Sequence, residues 1–432
     1  MVRFRTPRRI EPYQDASDSI ILNQVMALRY IGLAVYRDVP IFFRIQFIVD
    51  TLGLKTYHGF CPSLLRNCIE RLKAGKLEAN GDLSAAFVTS LFSLVYHVAG
   101  FEYGGDALNR SSLVPVLLGV VKTYSLPEQY ISYVTRSVRI IDILTGIDVA
   151  QFNSNGGTDA IIKRFSHEVD QCKTQISEQT TPNTTLLCSQ QRAALMKSLL
   201  NFIKRAVIDA NLAVQMRRIM ETEFPQSLIF IIQHSQYFGS SLLHCTVSLI
   251  TNFIYQEPAQ LTMLQNMKLT DALMNLIFDE KLPISRDLVC ALPNVCSALC
   301  LNERGHNEFK LYNNQKPLEK IFRIIFSNKF LLSMRKRKTE ILETAHMLGT
   351  SFDELIRHHP ALRKDVMGIL SENCFNLLLA KIKVFLGVWG RLLLKMILLS
   401  MFCLVIIWQL WEVIFCYFFG EIKRFLYHLS DD

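Results

Sequence analysis

Three cysteines are the nearest approach to a metal site in the sequence: Cys290, Cys296 and Cys300. Structural zinc sites close with four ligands at short loop spacings. Cys296 and Cys300 would share one face of a helix, but no fourth ligand follows at a suitable spacing. Because a buried cysteine also packs as a small apolar side chain, the pattern predicts core packing, and no metal and no cofactor are expected.

Two other groups carry protonatable side chains. His358 and His359 precede a proline, so a helix is expected to end there, where a protonated imidazole favours the carboxyl end of the helix dipole. His167, Glu168 and Asp170 are expected on a solvated polar face of another helix. For both groups, these structural interpretations are favoured over a role as a metal ligand or in catalysis.

Common catalytic motifs are absent from the sequence. It contains no GxxxxGK[ST] loop, no HExxH, no CxxC pair and no GxSxG elbow. We therefore predict no catalytic, cofactor-binding or metal-binding residues, and no small-molecule substrate.

The composition favours a helical, globular protein. Of the 432 residues, 50% are hydrophobic and 20% are charged, and 19 Gly and 13 Pro are too few for a loop-rich β protein. This length exceeds one compact core, so two or three domains or one elongated solenoid is expected. The 11 cysteines form no disulfide framework, which indicates a reducing compartment.

The elements that must position these residues are helices. From 239 to 309 the apolar residues lack strand-like alternation, and Leu288, Leu292, Val295 and Leu299 recur on one helix face. That face is expected to be buried.

This stretch also repeats. An offset of about 46 residues places Leu249 over Val295 and Phe253 over Leu299. It likewise carries Ala272 onto Leu318 and Phe278 onto Ile324. The period lies within the range of HEAT and armadillo units, so the predicted fold class is an all-α, armadillo/HEAT-like α-solenoid.

Changes in composition divide the chain. Residues 1–19 are predicted to be a disordered basic lead, and 20–172 to be armadillo-like repeats. The polar, Thr-rich segment 173–189 is predicted to be a linker loop before further repeats over 190–379. Within the first group, turns are predicted at 103–106 and 152–157.

The net charge of +9 is partly local. The run Arg335–Lys338 indicates a solvated loop, with a nuclear-import or nucleic-acid patch as the less favoured alternative. No aromatic residues interleave the run to stack on bases, so nucleic acid is not an expected partner.

A hydrophobic tail occupies 384–427. Its segment 396–419 has only Gln409 and Glu412 as strongly polar residues and is long enough for a transmembrane helix. Basic residues flank both ends and give no clear orientation. A membrane-spanning or membrane-lying helix is the favoured interpretation, with a buried helix or a non-native tail as alternatives.

Several long strings resemble one known family. They include TYHGFCPSLLRNCIE (56–70), AAFVTSLFSLVYHVAGFEYGGDAL (85–108), VTRSVRIIDILTGIDVAQF (134–152), QRAALMKSLLNFIKRA (191–206) and LGTSFDELIRHHPAL (348–362). In order and spacing these are similar to the N-terminal region of the giant HECT-type E3 ubiquitin ligases with UBA and WWE domains, shared with plant and yeast giant HECT ligases. The resemblance covers about 20–379. In that family the region consists of two domains of unknown function within an armadillo-like solenoid.

This resemblance implies a substrate-recognising, scaffold-forming arm in the cytoplasm or nucleus, with protein partners or ubiquitination substrates. It implies no activity for this chain, because the family's catalytic cysteine lies in a HECT domain and no string here resembles HECT, UBA or WWE sequence. The hydrophobic tail replaces a soluble region of the family.

The sequence thus favours a non-catalytic interaction scaffold, truncated before any HECT domain. Two alternatives remain: an adaptor anchored in a membrane by 396–419, and a chain with ubiquitin ligase activity of its own.

Overall fold

The computed structural model describes residues 60–74, 85–178, 187–313, 315–333 and 338–372. The regular structure in these ranges is helical, with no β-strand and one isolated β-bridge between Tyr312 and Gln315. The contacts divide the chain into two compact units, the first ending at Ser227 and the second beginning at Leu228. The prediction of an all-α protein is confirmed for the described ranges.

The helices of the first unit are short to medium in length. They are α1 (Phe60–Lys73), α2 (Ala85–Ala99), α3 (Glu102–Arg110), α4 (Leu113–Val121), α5 (Ile131–Ile147), α6 (Val149–Ser154), α7 (Gly157–Ser177), α8 (Gln190–Ile208) and α9 (Ala213–Met220). A 3₁₀ turn, Glu128–Tyr130, leads into α5. Helix α10 (Phe224–Gln233) contains the division between the units.

The helices of the second unit are also mostly short to medium in length. They are α11 (Ser235–Gln256), α12 (Leu261–Asn266), α13 (Leu269–Phe278), α14 (Arg286–Leu299), α15 (Glu303–Lys310), α16 (Pro317–Ile325), α17 (Asn328–Ser333) and α18 (Lys338–His358). Two 3₁₀ turns, Pro258–Gln260 and Pro360–Leu362, each begin at a proline. Proline suits that position because the first residue of a helix needs no donor.

Helices of the first unit form two rows. Helix α5 packs between α2 and α8, and α4 packs between α1 and α7. Each helix of one row also contacts its neighbour in the other row, as α4 does with α5 and α7 does with α8. Both rows contribute buried apolar side chains, such as Val134 and Ile141 of α5 and Leu117 of α4.

The second unit shows the repeat predicted from the sequence. Helix α14 packs between α11 and α18, and α13 packs on α16. Leu249 and Phe253 of α11 are buried, as are Val295 and Leu299 at the matching positions of α14. Burial thus agrees with the 46-residue offset for these two neighbouring helices, whereas in the other predicted pair Phe278 of α13 is half-buried and Ile324 of α16 is buried.

The turn predicted at 103–106 is wrong. These residues lie within α3, where Gly104 and Gly105 are buried. A Cβ atom on Gly104 would collide with the carbonyl oxygen of Val98, and one on Gly105 would collide with the side chain of Ile147. The glycines allow close packing of helices here rather than a turn.

The turn predicted at 152–157 is only partly right. Phe152 belongs to the short helix α6 and is fully buried against Phe202, with their ring centroids 5.2 Å apart. Asp148 caps α6 by accepting a hydrogen bond from the Gln151 amide. The turn itself contains Gly156, whose φ of +63° lies in the left-handed region.

The predicted linker 173–189 is not the division between the compact units. Helix α7 continues to Ser177, residues 179–186 lie outside the described ranges, and α8 begins at Gln190. Helices α7 and α8 pack on each other. The segment therefore joins two helices of the same unit.

Several predictions fall outside the described ranges. They concern the lead 1–19, the first helices of 20–172, most of the run Arg335–Lys338, and the hydrophobic tail 384–427 with its candidate span 396–419. Among the helices that the structure does describe, none is both long and apolar enough to cross a bilayer.

Candidate interaction surface

The three cysteines of the α14 region are part of the core. Cys290, Cys296 and Cys300 are each at most 4% exposed. Burial raises the pKa of Cys290 to about 11 and that of Cys300 to about 12, and it also raises that of Cys296. The prediction of core packing is confirmed for these side chains. Within the described ranges no group of three or more His, Cys, Asp or Glu residues is placed to hold a metal ion.

The two histidines at the end of α18 have different neighbours. Helix α18 ends at His358, as predicted, and His359 directly precedes the following 3₁₀ turn. The His359 ring stacks on His306 with centroids 6.1 Å apart, and its Nε2 lies 3.3 Å from the Ser297 carbonyl oxygen. Burial lowers the pKa of His359, and the neighbouring His306 and His358 lower it further. The neutral imidazole is favoured here, rather than a positive charge on the helix dipole.

The solvated face predicted for His167, Glu168 and Asp170 is wrong for Glu168. The Glu168 side chain is only 3% exposed. Its Oε1 accepts from Arg164 Nε at 2.8 Å and its Oε2 from Arg192 Nε at 2.9 Å. Asp170, in contrast, is 62% exposed and pairs with Lys173 on the surface.

Arg164 joins this buried cluster to a third helix. Its Nη1 donates to the carbonyl oxygens of Val121 at 3.2 Å and Thr123 at 2.7 Å, where α4 ends. Its guanidinium carbon also lies 5.8 Å from the centroid of the Tyr124 ring. Carbonyls at the end of a helix lack partners within that helix, so Arg164 satisfies them.

The charges in this cluster are those of a structural ion pair. Burial lowers the pKa of Arg164 despite the opposing effect of Glu168, whereas for Arg192 the effect of Glu168 and other neighbours outweighs burial and raises the pKa. Both guanidinium groups stay protonated at neutral pH because their ordinary pKa is 12.5. The cluster connects α4, α7 and α8, and its three charged side chains are at most 9% exposed.

A different set of polar contacts runs across the row of α2, α5 and α8. Between α2 and α5, Tyr133 donates to the Ala85 carbonyl oxygen at 3.1 Å and Arg136 Nη1 to Ser93 Oγ at 3.2 Å. Between α5 and α8, Arg139 Nε donates to Ser198 Oγ at 3.3 Å. These contacts lie at the edge of the buried surface between the helices.

The α5–α8 contact ends in an ion pair near the carboxyl ends of both helices. Arg205 Nε lies 2.6 Å from Asp142 Oδ1, and Arg205 Nη2 donates to the Asp142 carbonyl oxygen at 2.9 Å. Both side chains are 35% exposed. The pair is therefore accessible from the surface.

The exposed side of this row is basic. We define the basic face as the exposed and half-exposed positions of α5 and α8 on this side, whose cations are Arg136, Arg139, Lys197, Lys204 and Arg205. In α8 the members recur at helical spacing, from 197 through 201 and 204 to 208. The basic face forms no pattern in the sequence, because its charges are scattered over two helices rather than gathered in a run.

The basic face can recognise charge but has no catalytic arrangement. Burial lowers the pKa of Arg136, the nearby Tyr133 opposes this, and the positive charge of Arg139 adds to the lowering. No cysteine and no histidine lies among its members on α5 and α8. Its groups are guanidinium and ammonium donors, which bind carboxylates and other anions.

Comparison with known proteins identifies relatives for most of the chain. The sequence profile of the family described as Domain of Unknown Function (DUF913) matches residues 135–378. E3 ubiquitin-protein ligase HUWE1 of Mus musculus is 35% identical over 354 residues, which cover 77% of this chain and 8% of that protein.

Relatives with lower sequence identity are also described as E3 ubiquitin-protein ligases. E3 ubiquitin-protein ligase ptr1 of Schizosaccharomyces pombe is 24% identical, covering 76% of this chain and 10% of its own length. E3 ubiquitin-protein ligase UPL2 of Arabidopsis thaliana is 26% identical, covering 65% of this chain and 8% of its own length. The chain thus spans a tenth or less of the length of these relatives.

The DUF913 match includes most of α5 together with α7, α8 and the helices of the second unit. The resemblance to giant HECT-type ubiquitin ligases noted in the sequence is confirmed by these relatives. The chain belongs to the DUF913 family.

Proposed function

We propose that this chain is a non-catalytic protein-interaction scaffold that acts in protein ubiquitination. The observation that carries the proposal is the sequence relationship to E3 ubiquitin-protein ligases over about three quarters of the chain. Within that process we assign the chain the binding and positioning of partner proteins rather than ubiquitin transfer.

The helix packing supports an armadillo-like α-solenoid. In the first unit, α2, α5 and α8 follow one another in a row, and in the second unit α11, α14 and α18 do the same. Stacked repeats of this kind bury their apolar faces against neighbouring repeats and leave a continuous helical surface for protein partners. The cytoplasm or nucleus is the location that the resemblance implies.

Two measurements test this proposal. We expect purified full-length chain to form no thioester with ubiquitin when E1, E2 and ATP are supplied, with a HECT ligase as the positive control. We also expect proximity labelling from the chain in cells to enrich proteins that carry ubiquitin-remnant peptides, relative to an unfused labelling enzyme. A ubiquitin adduct that thiol reducing agents release would overturn the non-catalytic role, and no enrichment would overturn the ubiquitination role.

A membrane-anchored adaptor is the second candidate. The apolar sequence of 396–419 favours it, because 24 such residues are long enough to span the hydrocarbon layer. Under this proposal, the full-length chain stays in the membrane pellet after carbonate extraction. Release into the supernatant would reject the anchor and leave the scaffold proposal intact.

A further inference from the structure

We propose that the basic face of α5 and α8 binds an acidic, extended segment of a partner protein, rich in Asp and Glu and containing apolar residues. This inference depends on the proposed function, since it names the class of partner that the scaffold takes. It is carried by the arrangement of charge on the two helices.

The two arginines of α5 are positioned but not neutralised. Arg136 and Arg139 lie one helical turn apart, and each donates to a serine hydroxyl of a neighbouring helix. Within the described ranges, neither guanidinium forms an ion pair with a carboxylate. Each hydrogen bond uses one of five N–H donors, so the guanidinium groups keep donors for a carboxylate of a partner.

Positive charge exceeds negative charge on the basic face. Helices α5 and α8 carry five basic side chains on this side and one carboxylate, that of Asp142, which Arg205 binds. The donors left for a partner are those of Arg136 and Arg139, which each make one hydrogen bond to a serine. The remaining exposed or half-exposed positions of α5 and α8 on this side are uncharged, including Ser132, Asn201 and Ile208. A partner must therefore bring negative charge to complement this surface.

Apolar side chains accompany the cations and favour a polypeptide partner over nucleic acid. Ile147 of α5 is 38% exposed and Ile208 of α8 is 55% exposed. A peptide that alternates acidic and apolar residues can cover both the cations and these isoleucines. A phosphodiester backbone would neutralise the cations but offer no apolar groups to the isoleucines.

The spacing of the helices sets the length of the segment. Packed helices lie about 8–10 Å apart, and an extended chain rises about 3.3 Å per residue. Two acidic residues about three positions apart in the segment then lie far enough from each other for one to reach α5 and the other to reach α8. A segment of about eight to twelve residues would cross the row.

The test is fluorescence anisotropy with the full-length chain and labelled peptides of about twelve residues. In the probe peptide, groups of Glu residues alternate with groups of Leu residues. The control peptide has Gln in place of each Glu. The protein variants are Arg139→Glu with Lys204→Glu, and a matched double variant, Lys163→Glu with Lys329→Glu. The matched pair reverses the same number of exposed charges outside the basic face. Circular dichroism confirms that both variants fold.

We expect the Glu peptide to bind and the Gln peptide not to bind. The Arg139/Lys204 variant should raise Kd by on the order of tenfold or more, whereas the Lys163/Lys329 variant should leave Kd nearly unchanged. If the charge reversal unfolds the protein, the milder variant Arg139→Gln with Lys204→Gln replaces it. This variant should show an intermediate loss of peptide affinity. Equal losses in both reversed variants, or single-stranded RNA binding more tightly than the Glu peptide, would overturn the inference. Absence of peptide binding together with enrichment of ubiquitin-remnant peptides in cells would reject this inference but retain the proposed function.

Discussion

Glu168 and Arg192 form a buried ion pair between α7 and α8, with Arg192 Nε 2.9 Å from Glu168 Oε2. The same carboxylate binds Arg164, whose side chain is also buried. One carboxylate thus balances two guanidinium groups in the interior. Removing it would leave both of them buried without a counter-charge.

Glu168→Ala should therefore lower the free energy of unfolding by about 3–5 kcal/mol, because breaking a buried pair costs more than losing a surface pair. Asp170→Ala is the matched control, since this carboxylate pairs with Lys173 on the surface, and it should cost less than about 1 kcal/mol. Urea unfolding followed by circular dichroism measures both changes. Equal stability of the two variants would show that Glu168 is not the centre of the cluster.

Stability should fall as the pH drops below the ordinary pKa of histidine. Burial lowers the pKa of His359 below 6.5 in the folded protein, so the unfolded chain binds the proton more readily. The stabilising contribution is present above pH 6.5 and declines as the pH falls from there toward the folded pKa. Burial also lowers the pKa of His167, so this residue likewise makes the protein less stable as the pH falls.

The check for His359 is the urea midpoint of the parent chain and of His359→Asn at pH 7.5 and pH 5.5. The parent chain should lose more stability between the two values than the variant does. If the difference between the two pH values is the same in both proteins, His359 does not contribute to the pH dependence.

Gly305 should not tolerate a side chain. A Cβ atom there would overlap the carbonyl oxygen of Leu299, a backbone atom that cannot move without shifting α14. We expect Gly305→Ala to cost about 1–3 kcal/mol of stability. Gly349→Ala in α18 is the control, because a Cβ atom there meets nothing within 4 Å. Its better helix propensity should leave stability unchanged or raise it by up to about 1 kcal/mol.

The buried thiols of the α14 region should react slowly with iodoacetamide in the native protein. The thiolate is the reactive form, and burial raises the pKa of Cys290 to about 11 and of Cys300 to about 12. At pH 8, peptide mass spectrometry should find both residues mostly unmodified, and guanidinium unfolding should make both reactive. Rapid native alkylation of either residue would contradict its place in the core.

Local patterns in the sequence were sufficient to predict the helical core. Leu288, Leu292, Val295 and Leu299 are all buried, as their spacing on one helix face predicted. The repeat offset agrees with the burial of Leu249 and Phe253 on α11 and of Val295 and Leu299 on α14. These features depend on residues a few positions apart or on a regular period.

Features that depend on distant partners could not be predicted. Glu168 looks solvated beside His167 and Asp170 in the sequence, and its burial depends on Arg192, which lies 24 positions further along the chain. Gly104 and Gly105 suggest a turn until Ile147, on another helix, is seen to pack against them. The basic face could not be predicted for the same reason, since its cations lie on two helices that meet only through the packing of α5 on α8.

Crosslinking mass spectrometry in cells tests most directly the central claim that this chain is an interaction scaffold whose basic face takes acidic partners. A lysine-reactive crosslinker is applied to cells that express the full-length chain. The sites to compare are Lys197 and Lys204 on the basic face and Lys163 on α7. We expect links to other proteins to concentrate at Lys197 and Lys204, next to acidic segments of those proteins, and to decline in Arg139→Glu. Links spread evenly over Lys163 and the two lysines of the basic face, or unchanged in Arg139→Glu, would contradict it.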